Sequence, residues 1–144
     1  MSNTIKAIKI DVERQEVYEI EIENTLQHKY DAIGNDCELI EVGGYFPRVT
    51  EPFSRPRDVM YVDEEIAAKL GFEFARLLDV GVFKYAVPPY SQNAEVLNNL
   101  VAQQCIGNAI IVGTDQEGNT ISHHQTIESV KQRILGFRRE PIED

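Results

Sequence analysis

Three arginines lie close together in a stretch rich in proline and aromatic residues, YFPRVTEPFSRPRD. Guanidinium groups bind phosphate or carboxylate through paired hydrogen bonds, and aromatic rings stack on bases or on arginine itself. A second surface, PPYSQN, offers hydrogen bonds without charge. The candidate ligand-binding residues are Arg48, Arg55, Arg57, Tyr45, Phe53 and Tyr90. The alternative is a structural one, in which the arginines pair with acidic groups of the same chain.

No sequence pattern indicates a catalytic or metal site. His123 and His124 are adjacent, so their side chains diverge, and we expect both to be solvated polar residues. No serine lies in a GxSxG context, and no HExxH or clustered Cys/His set occurs. Cys37 and Cys105 are far from any CxxC spacing, so we expect buried thiols in a reducing cytoplasm. These observations favour a protein that is not an enzyme and that needs no cofactor or metal.

The segment IGNAIIVGTDQEGN contains Gly107, Gly113 and Gly118, which raises the question of a phosphate-binding loop. The spacing matches neither GxGxxG nor a Walker loop, and no helix is predicted directly after it. The run is short and β-branched. We therefore predict a core strand over residues 108–114 and a turn in which Gly118 has positive φ.

The charge excludes several classes of partner. A net charge of −10 argues against direct nucleic-acid binding and against anionic membranes. The chain has no run of eighteen apolar residues and no apolar signal core, which predicts a cytoplasmic protein without a membrane span. Glu19, Glu21 and Glu23 repeat about every 6.6–6.8 Å along a strand, roughly half the charge density of one DNA strand. DNA mimicry would therefore need a second acidic row, and an ordinary solvated strand face is the alternative.

The spacing of hydrophobic residues predicts the strands and helices on which the candidate residues lie. IKAIKIDVERQEVYEIEIEN alternates apolar and polar residues around a break at 13–15, which predicts a β-hairpin with one wet face. A short helix follows, capped by Asn24 or Thr25 and ended by Gly34. Further strands are predicted over 37–43, 59–62 and 82–87, a loop over 44–58, and helices over 63–81 (bent at Gly71), 93–104 and 126–137.

Together these elements predict one α+β domain spanning residues 1–144. We expect a mostly antiparallel sheet with an N-terminal β-hairpin and helices packed on one face. Composition agrees, because 42% hydrophobic and 26% charged residues are ordinary for a globular domain.

The order of elements resembles a known family. The hairpin with its EIEN end, VMYVDEE, the PP pair and GNAIIVGTDQEG look like the domain of unknown function 3846, carried by small phage and conjugative-element proteins. The similarity covers roughly residues 5–42, 59–65 and 88–137. The Arg-rich loop at 45–58 and the stretch at 65–85 are longer than the family pattern. The resemblance implies a mobile-element context and supplies no catalytic residues.

Three functional hypotheses follow. The first is a small cytoplasmic binding protein that sequesters a host protein or a phosphorylated small-molecule signal, with a counter-defence role and no catalysis. Self-association as a homo-oligomer is compatible with it, and nothing in the sequence requires it. The second is an acidic decoy of a host DNA-binding protein. The third is an enzyme whose site is assembled from residues distant in sequence.

Overall fold

The computed structural model describes residues 3–34, 37–47, 57–64, 74–83, 100–115, 117 and 119–141. The strands in this part of the chain are β1 (Thr4–Asp11), β2 (Glu16–Glu23), β3 (Ile40–Pro47), β4 (Arg57–Asp63), β5 (Phe74–Phe83), β6 (Leu100–Ile106), β7 (Ala109–Thr114), β8 (Thr120–Ile121) and β9 (Ile134–Pro141). The helices are α1 (Leu26–Ile33) and α2 (Ile127–Arg133). The strands form one sheet in the order β2-β1-β7-β4-β3-β5-β6, with β8 beside β7 and β9 beside β5.

The sequence-based fold class is confirmed: the domain is α+β, and all the strand pairs described are antiparallel. The N-terminal hairpin is also confirmed, with Thr4 opposite Glu23 and Asp11 opposite Glu16. Alternation in β2 leaves its glutamates exposed and its isoleucines half-buried, so β2 has the wet face that its period of two predicts.

The central strand β7 is buried on both faces. Ile111 belongs to the larger core, with Ile8, Met60 and Val130 of α2. Ile110 belongs to another cluster, with Ile33 of α1. Since neighbouring residues of a strand point to opposite faces, the two described helices cover opposite sides of β7. This arrangement differs from the expected packing on one face, and it explains why Ala109–Val112 are all buried.

Both described helices begin where the sequence predicts. Thr25 accepts the His28 N–H at the start of α1, and Gly34 ends it with φ 85°. Thr126 and Ser129 form a reciprocal capping pair at the start of α2.

Three helix predictions were wrong in the part of the chain that is described. Residues 74–81 belong to β5, residues 100–104 to β6, and residues 134–137 to β9. The reason is tertiary: β5 pairs with β6 along one edge and with β9 along the other, and these backbone ladders override a helical spacing of apolar residues. The rest of the first two predicted helices lies outside the described residues, apart from 63–64, which end β4 and form a turn.

The predicted loop over 44–58 is shorter at both ends than expected. β3 continues to Pro47, β4 begins at Arg57, and these two residues are paired. Pro47 ends a strand, where proline is tolerated. The strand predicted over 82–87 is present only as the end of β5, and residues 84–87 lie outside the described part.

Candidate functional site

A groove opens between the hairpin turn and the junction of α2 with β9. Its volume is about 610 Å³. The hairpin contributes Arg14, Gln15, Glu16, Val17 and Tyr18, and the junction contributes Lys131, Ile134 and Phe137. The floor is apolar, since Val17, Ile134 and Phe137 pack against the larger core. The walls are polar and charged, so the groove is amphipathic.

The hairpin is held in place by hydrogen bonds to the buried side-chain amide of Asn108. Asn108 accepts the Val12 N–H at 2.9 Å and donates to the Ile33 carbonyl at 3.0 Å. One side chain therefore joins the hairpin, the end of α1 and the turn before β7. Gln15 closes the turn with φ 56°, a left-handed conformation that is uncommon outside glycine. These contacts hold the hairpin wall of the groove in place.

Two cations border the groove. The Arg14 side chain is 72% exposed, and its Nε lies 4.0 Å from the Asp11 carboxylate. Lys131 is exposed on the last turn of α2. The acidic lining residue is Glu16. In a chain of net charge −10, the described lining is therefore locally cationic.

Asp11 organises the hairpin wall. It accepts the Arg14 N–H at 3.1 Å and the Tyr18 hydroxyl at 3.3 Å. Burial, and then the Asp11 carboxylate, raise the pKa of the Tyr18 hydroxyl. Tyr18 is therefore a neutral hydrogen-bonding ring at physiological pH, and it lines the groove.

A second polar cluster lies where β4, β7 and the segment before α2 meet. Asp58 is fully buried in β4. Its two carboxylate oxygens bind the same residue, because Oδ2 accepts the His124 N–H at 2.6 Å and Oδ1 lies 3.3 Å from His124 Nδ1. The His124 side chain is 38% exposed. Nδ1 thus faces the buried carboxylate, while part of the ring is accessible to solvent.

Gly113 makes this second cluster possible. Asp58 pairs with Gly113 in the β4–β7 ladder. A Cβ at Gly113 would collide with the Ser122 carbonyl and lie 3.1 Å from His124 Nδ1. The close approach of the 122–124 backbone to β7 therefore requires glycine here. Gly118 lies outside the described residues, so its predicted φ stays a prediction.

The expectation that the adjacent histidines are solvated was wrong for His123, whereas the His124 side chain is partly exposed. The His123 side chain is only 8% exposed, and its Nε2 lies 2.8 Å from Glu19 Oε1. His124 is bound to Asp58. The segment 122–124 lies across the hairpin, as the His123 N–H donates to the Lys6 carbonyl and Ser122 Oγ accepts the Lys6 N–H.

The acidic row of β2 has basic neighbours within the chain. Glu19 contacts His123, and Glu23 lies 3.7 Å from His28. Glu21 is directly opposite Lys6, and opposite residues of an antiparallel pair share a face. The row thus differs from the dense, unpaired acidic surface that DNA mimicry requires.

Most of the predicted ligand-binding residues lie outside the described part of the chain: Arg48, Phe53, Arg55 and Tyr90. Arg57 begins β4, opposite Pro47. Tyr45 is half-buried in β3 and is not among the residues lining the groove. Tyr45 also pairs with Phe83, so the end of β5 lies beside the end of β3. The Arg-rich loop as a binding surface stays a prediction.

Sequence reasoning missed the groove and the Asp58–His124 pair. The groove joins the hairpin turn to a helix–strand junction more than a hundred residues later. Arg14 and Gln15 could have been noticed as a basic, polar hairpin turn, since the turn itself was predicted. Asp58 and His124 are 66 positions apart, and no local spacing relates them. Cys37 and Cys105 were predicted to be buried thiols, and the structure shows both buried and not joined by a disulfide.

No family model matches the chain, and no curated protein and no solved structure is significantly similar to it. The resemblance to the domain of unknown function 3846 therefore stays a prediction from sequence motifs.

Proposed function

We propose that this chain is a binding protein that sequesters a phosphorylated small molecule, without reacting with it, in the groove between the hairpin turn and the α2–β9 junction. One observation carries the proposal: two exposed cations, Arg14 and Lys131, border an apolar floor in an otherwise strongly acidic protein. An anionic ligand with an apolar or aromatic body matches both features.

The size of the groove favours a small molecule over a host protein. Ligand sites commonly enclose about 300–1,000 Å³, and this groove falls in that range at about 610 Å³. Stable protein interfaces instead bury roughly 1,200–2,000 Å² over a broad surface. The phosphorylated-ligand version of the hypothesis is therefore the better supported of the two.

Each wall of the groove has a role in this proposal. Arg14 and Lys131 bind the phosphate, Arg14 by its planar guanidinium and Lys131 as a point charge. The rings of Tyr18 and Phe137 stack on a base or another flat apolar group, as aromatic platforms do for nucleotides. Gln15 and Glu16 offer hydrogen bonds to its polar edge. A nucleoside phosphate has all three features: a phosphate, a flat base that can stack, and a polar base edge that can form hydrogen bonds.

The biological setting rests on the family resemblance, which implies a phage or mobile element inside a bacterial host. Sequestration of a host signal, a cytoplasmic location and self-association belong to this proposal. None of the helices in the described residues is long and apolar enough to cross a membrane. The decoy hypothesis has less support, because histidines and Lys6 lie beside the acidic row of β2.

Thermal unfolding with added ligand tests the binding role. Adenosine 5′-monophosphate at about 100 times its Kd is expected to stabilise the fold by about 2.7 kcal/mol, which raises Tm by roughly 5–10 °C. Arg14→Ala/Lys131→Ala should abolish this rise because it removes both cations. Native mass spectrometry of the same samples reports subunit number and any retained molecule.

A matched control removes two cations elsewhere. Lys6 lies about 16 Å from the start of β2 at 3.3 Å per residue, and Lys29 lies on α1. Lys6→Ala/Lys29→Ala changes the net charge equally and should leave the Tm rise intact. An equal loss in both double variants would mean a general charge effect, and an unchanged rise in Arg14→Ala/Lys131→Ala would refute the groove. Competition by a polyanion without competition by nucleotide would favour the decoy.

A further inference from the structure

The three histidines of this chain are held in three different ways. His28 has its Nδ1 2.6 Å from the Thr25 hydroxyl and its Nε2 3.7 Å from Glu23. His123 has its Nε2 2.8 Å from Glu19 in a side chain that is 92% buried, since only 8% is exposed. His124 presents Nδ1 to a fully buried carboxylate, and 38% of its side chain is exposed. In this third arrangement a fully buried carboxylate orients an imidazole that remains partly open to solvent.

The contact with Asp58 favours one tautomer of the neutral His124 ring. A carboxylate accepts hydrogen bonds, so the proton of the neutral imidazole lies on Nδ1 and the lone pair on Nε2. The second carboxylate oxygen accepts the backbone N–H of the same residue at 2.6 Å, which holds both the backbone and the ring against β4. An aspartate that orients a histidine through Nδ1–H while Nε2 acts as base is the arrangement of a general-base pair.

We propose that Asp58 and His124 form a general-base site, separate from the groove, for the hydrolysis of small activated carboxylic esters. Nε2 of His124 takes a proton from water while the water oxygen forms a bond to the acyl carbon. The alkoxide then leaves, and the imidazolium returns the proton to it, so ester and water give acid and alcohol. Asp58 is the positioning residue. Activated esters are the substrate class because their leaving groups need little further assistance.

The backbone geometry around Gly113 gives the pair its precision. The absence of a side chain at Gly113 lets the 122–124 backbone approach β7, and Asp58 lies directly opposite Gly113 in the ladder. His124 itself lies in the segment between β8 and α2, and this segment is held against two adjacent central strands by Asp58 of β4 and the close approach at Gly113 of β7. Rigid mounting keeps the lone pair of Nε2 in a constant direction, which general-base catalysis requires.

Two measurements on the full chain test the proposal. Long-range ¹H–¹⁵N NMR of the wild-type imidazoles should show His124 as the Nδ1–H tautomer with an unprotonated Nε2. Hydrolysis of p-nitrophenyl acetate should fall at least about tenfold in His124→Gln. The matched control His28→Gln, also a partly exposed histidine, should keep the wild-type rate.

Asp58→Asn separates positioning from folding. If it folds, its His124 ¹⁵N shifts should move towards a mixture of tautomers and the hydrolysis rate should fall with them. If it does not fold, the wild-type tautomer and the His124→Gln rate still decide the question. A proton on Nε2 in the wild-type protein would overturn the proposal. Equal rates for wild type, His124→Gln and His28→Gln would mean that the pair is a structural clamp only.

Discussion

Two aspartates organise the two candidate sites, and they do so in opposite ways. Asp58 is fully buried and binds both the backbone and the ring of His124. Asp11 is buried to a similar degree, but its contacts are divided between two residues, Arg14 and Tyr18, at 3.1–4.0 Å, and the Arg14 side chain is largely exposed. Both Asp58 oxygens contact one residue and hold its ring in one orientation, so we call this the tight site. We call the Asp11 site the loose site, because the exposed Arg14 guanidinium lies 4.0 Å from the carboxylate and can turn towards a ligand. The first suits proton transfer, and the second suits binding.

Among the substitutions considered, we expect the largest loss of stability at Asp58. Asp58→Ala leaves the His124 N–H without its carboxylate and removes the link between β4 and the segment before α2. We expect a loss of about 2–4 kcal/mol in the free energy of unfolding, measured by urea denaturation. Asp31→Ala, on the exposed side of α1, should change stability by less than about 0.5 kcal/mol. A loss at Asp58 as small as the one at Asp31 would remove the contrast between the two sites.

Gly113 sharpens the same contrast, because only the tight site depends on a backbone approach. Gly113→Ala places a methyl group against the Ser122 carbonyl and should cost about 2 kcal/mol. Urea denaturation measures this, and the NMR signals of His124 should shift while those of Tyr18 do not. Gly136→Ala, where a Cβ would meet nothing within 4 Å, is the control. Equal behaviour of the two variants would contradict the close packing at β7.

A substitution at Asn108 tests whether ligand binding at the loose site depends on the hydrogen bonds that hold the hairpin in place. Asn108→Ala removes the hydrogen bonds to the Val12 N–H and the Ile33 carbonyl. We expect a loss of about 1–2 kcal/mol in unfolding free energy and a smaller nucleotide-induced rise in Tm. Hydrolysis of p-nitrophenyl acetate should stay unchanged, since Asp58 and His124 do not contact Asn108. Loss of both activities would show that the two sites are not independent.

We expect the smallest loss of stability at Tyr18, together with a change in how stability depends on alkaline pH. Its pKa is raised in the fold, so the folded chain holds the phenolic proton more tightly than the unfolded chain does. The stability that Tyr18 contributes is therefore complete below its ordinary pKa near 10 and is lost as pH rises through the folded value. Tyr18→Phe should cost about 0.5–1 kcal/mol at pH 7 and flatten the alkaline decline. An alkaline unfolding curve unchanged by the substitution would contradict the Asp11 contact.

Local signals made part of the fold predictable. The hairpin follows from alternation around one polar break, and the starts of α1 and α2 follow from Thr25 and Thr126, which accept N–H groups of the next turn. β7 follows from a short β-branched run before a polar turn. In each case the information lies within a few residues, where side chain and backbone meet directly.

The wrong helices show where local information ends. Ile127, Val130, Ile134 and Phe137 do share one core, as helical spacing predicts, yet the helix stops at Arg133 and the last two residues lie on β9. Apolar spacing of three or four positions fits one face of a helix and also a helix that turns into a strand. The choice depends on β5, whose free edge takes β9 as a partner.

The sequence by itself determined an acidic α+β domain, its hairpin, its helix starts and its buried thiols, because these depend on composition and on contacts between near neighbours. Only the tertiary structure decided that Arg14 faces Lys131 across one groove and that Asp58 meets His124. Both juxtapositions arise from strand order and register, which place distant segments side by side. Side-chain periodicity reports which face is apolar, and it carries no information on which strands become neighbours.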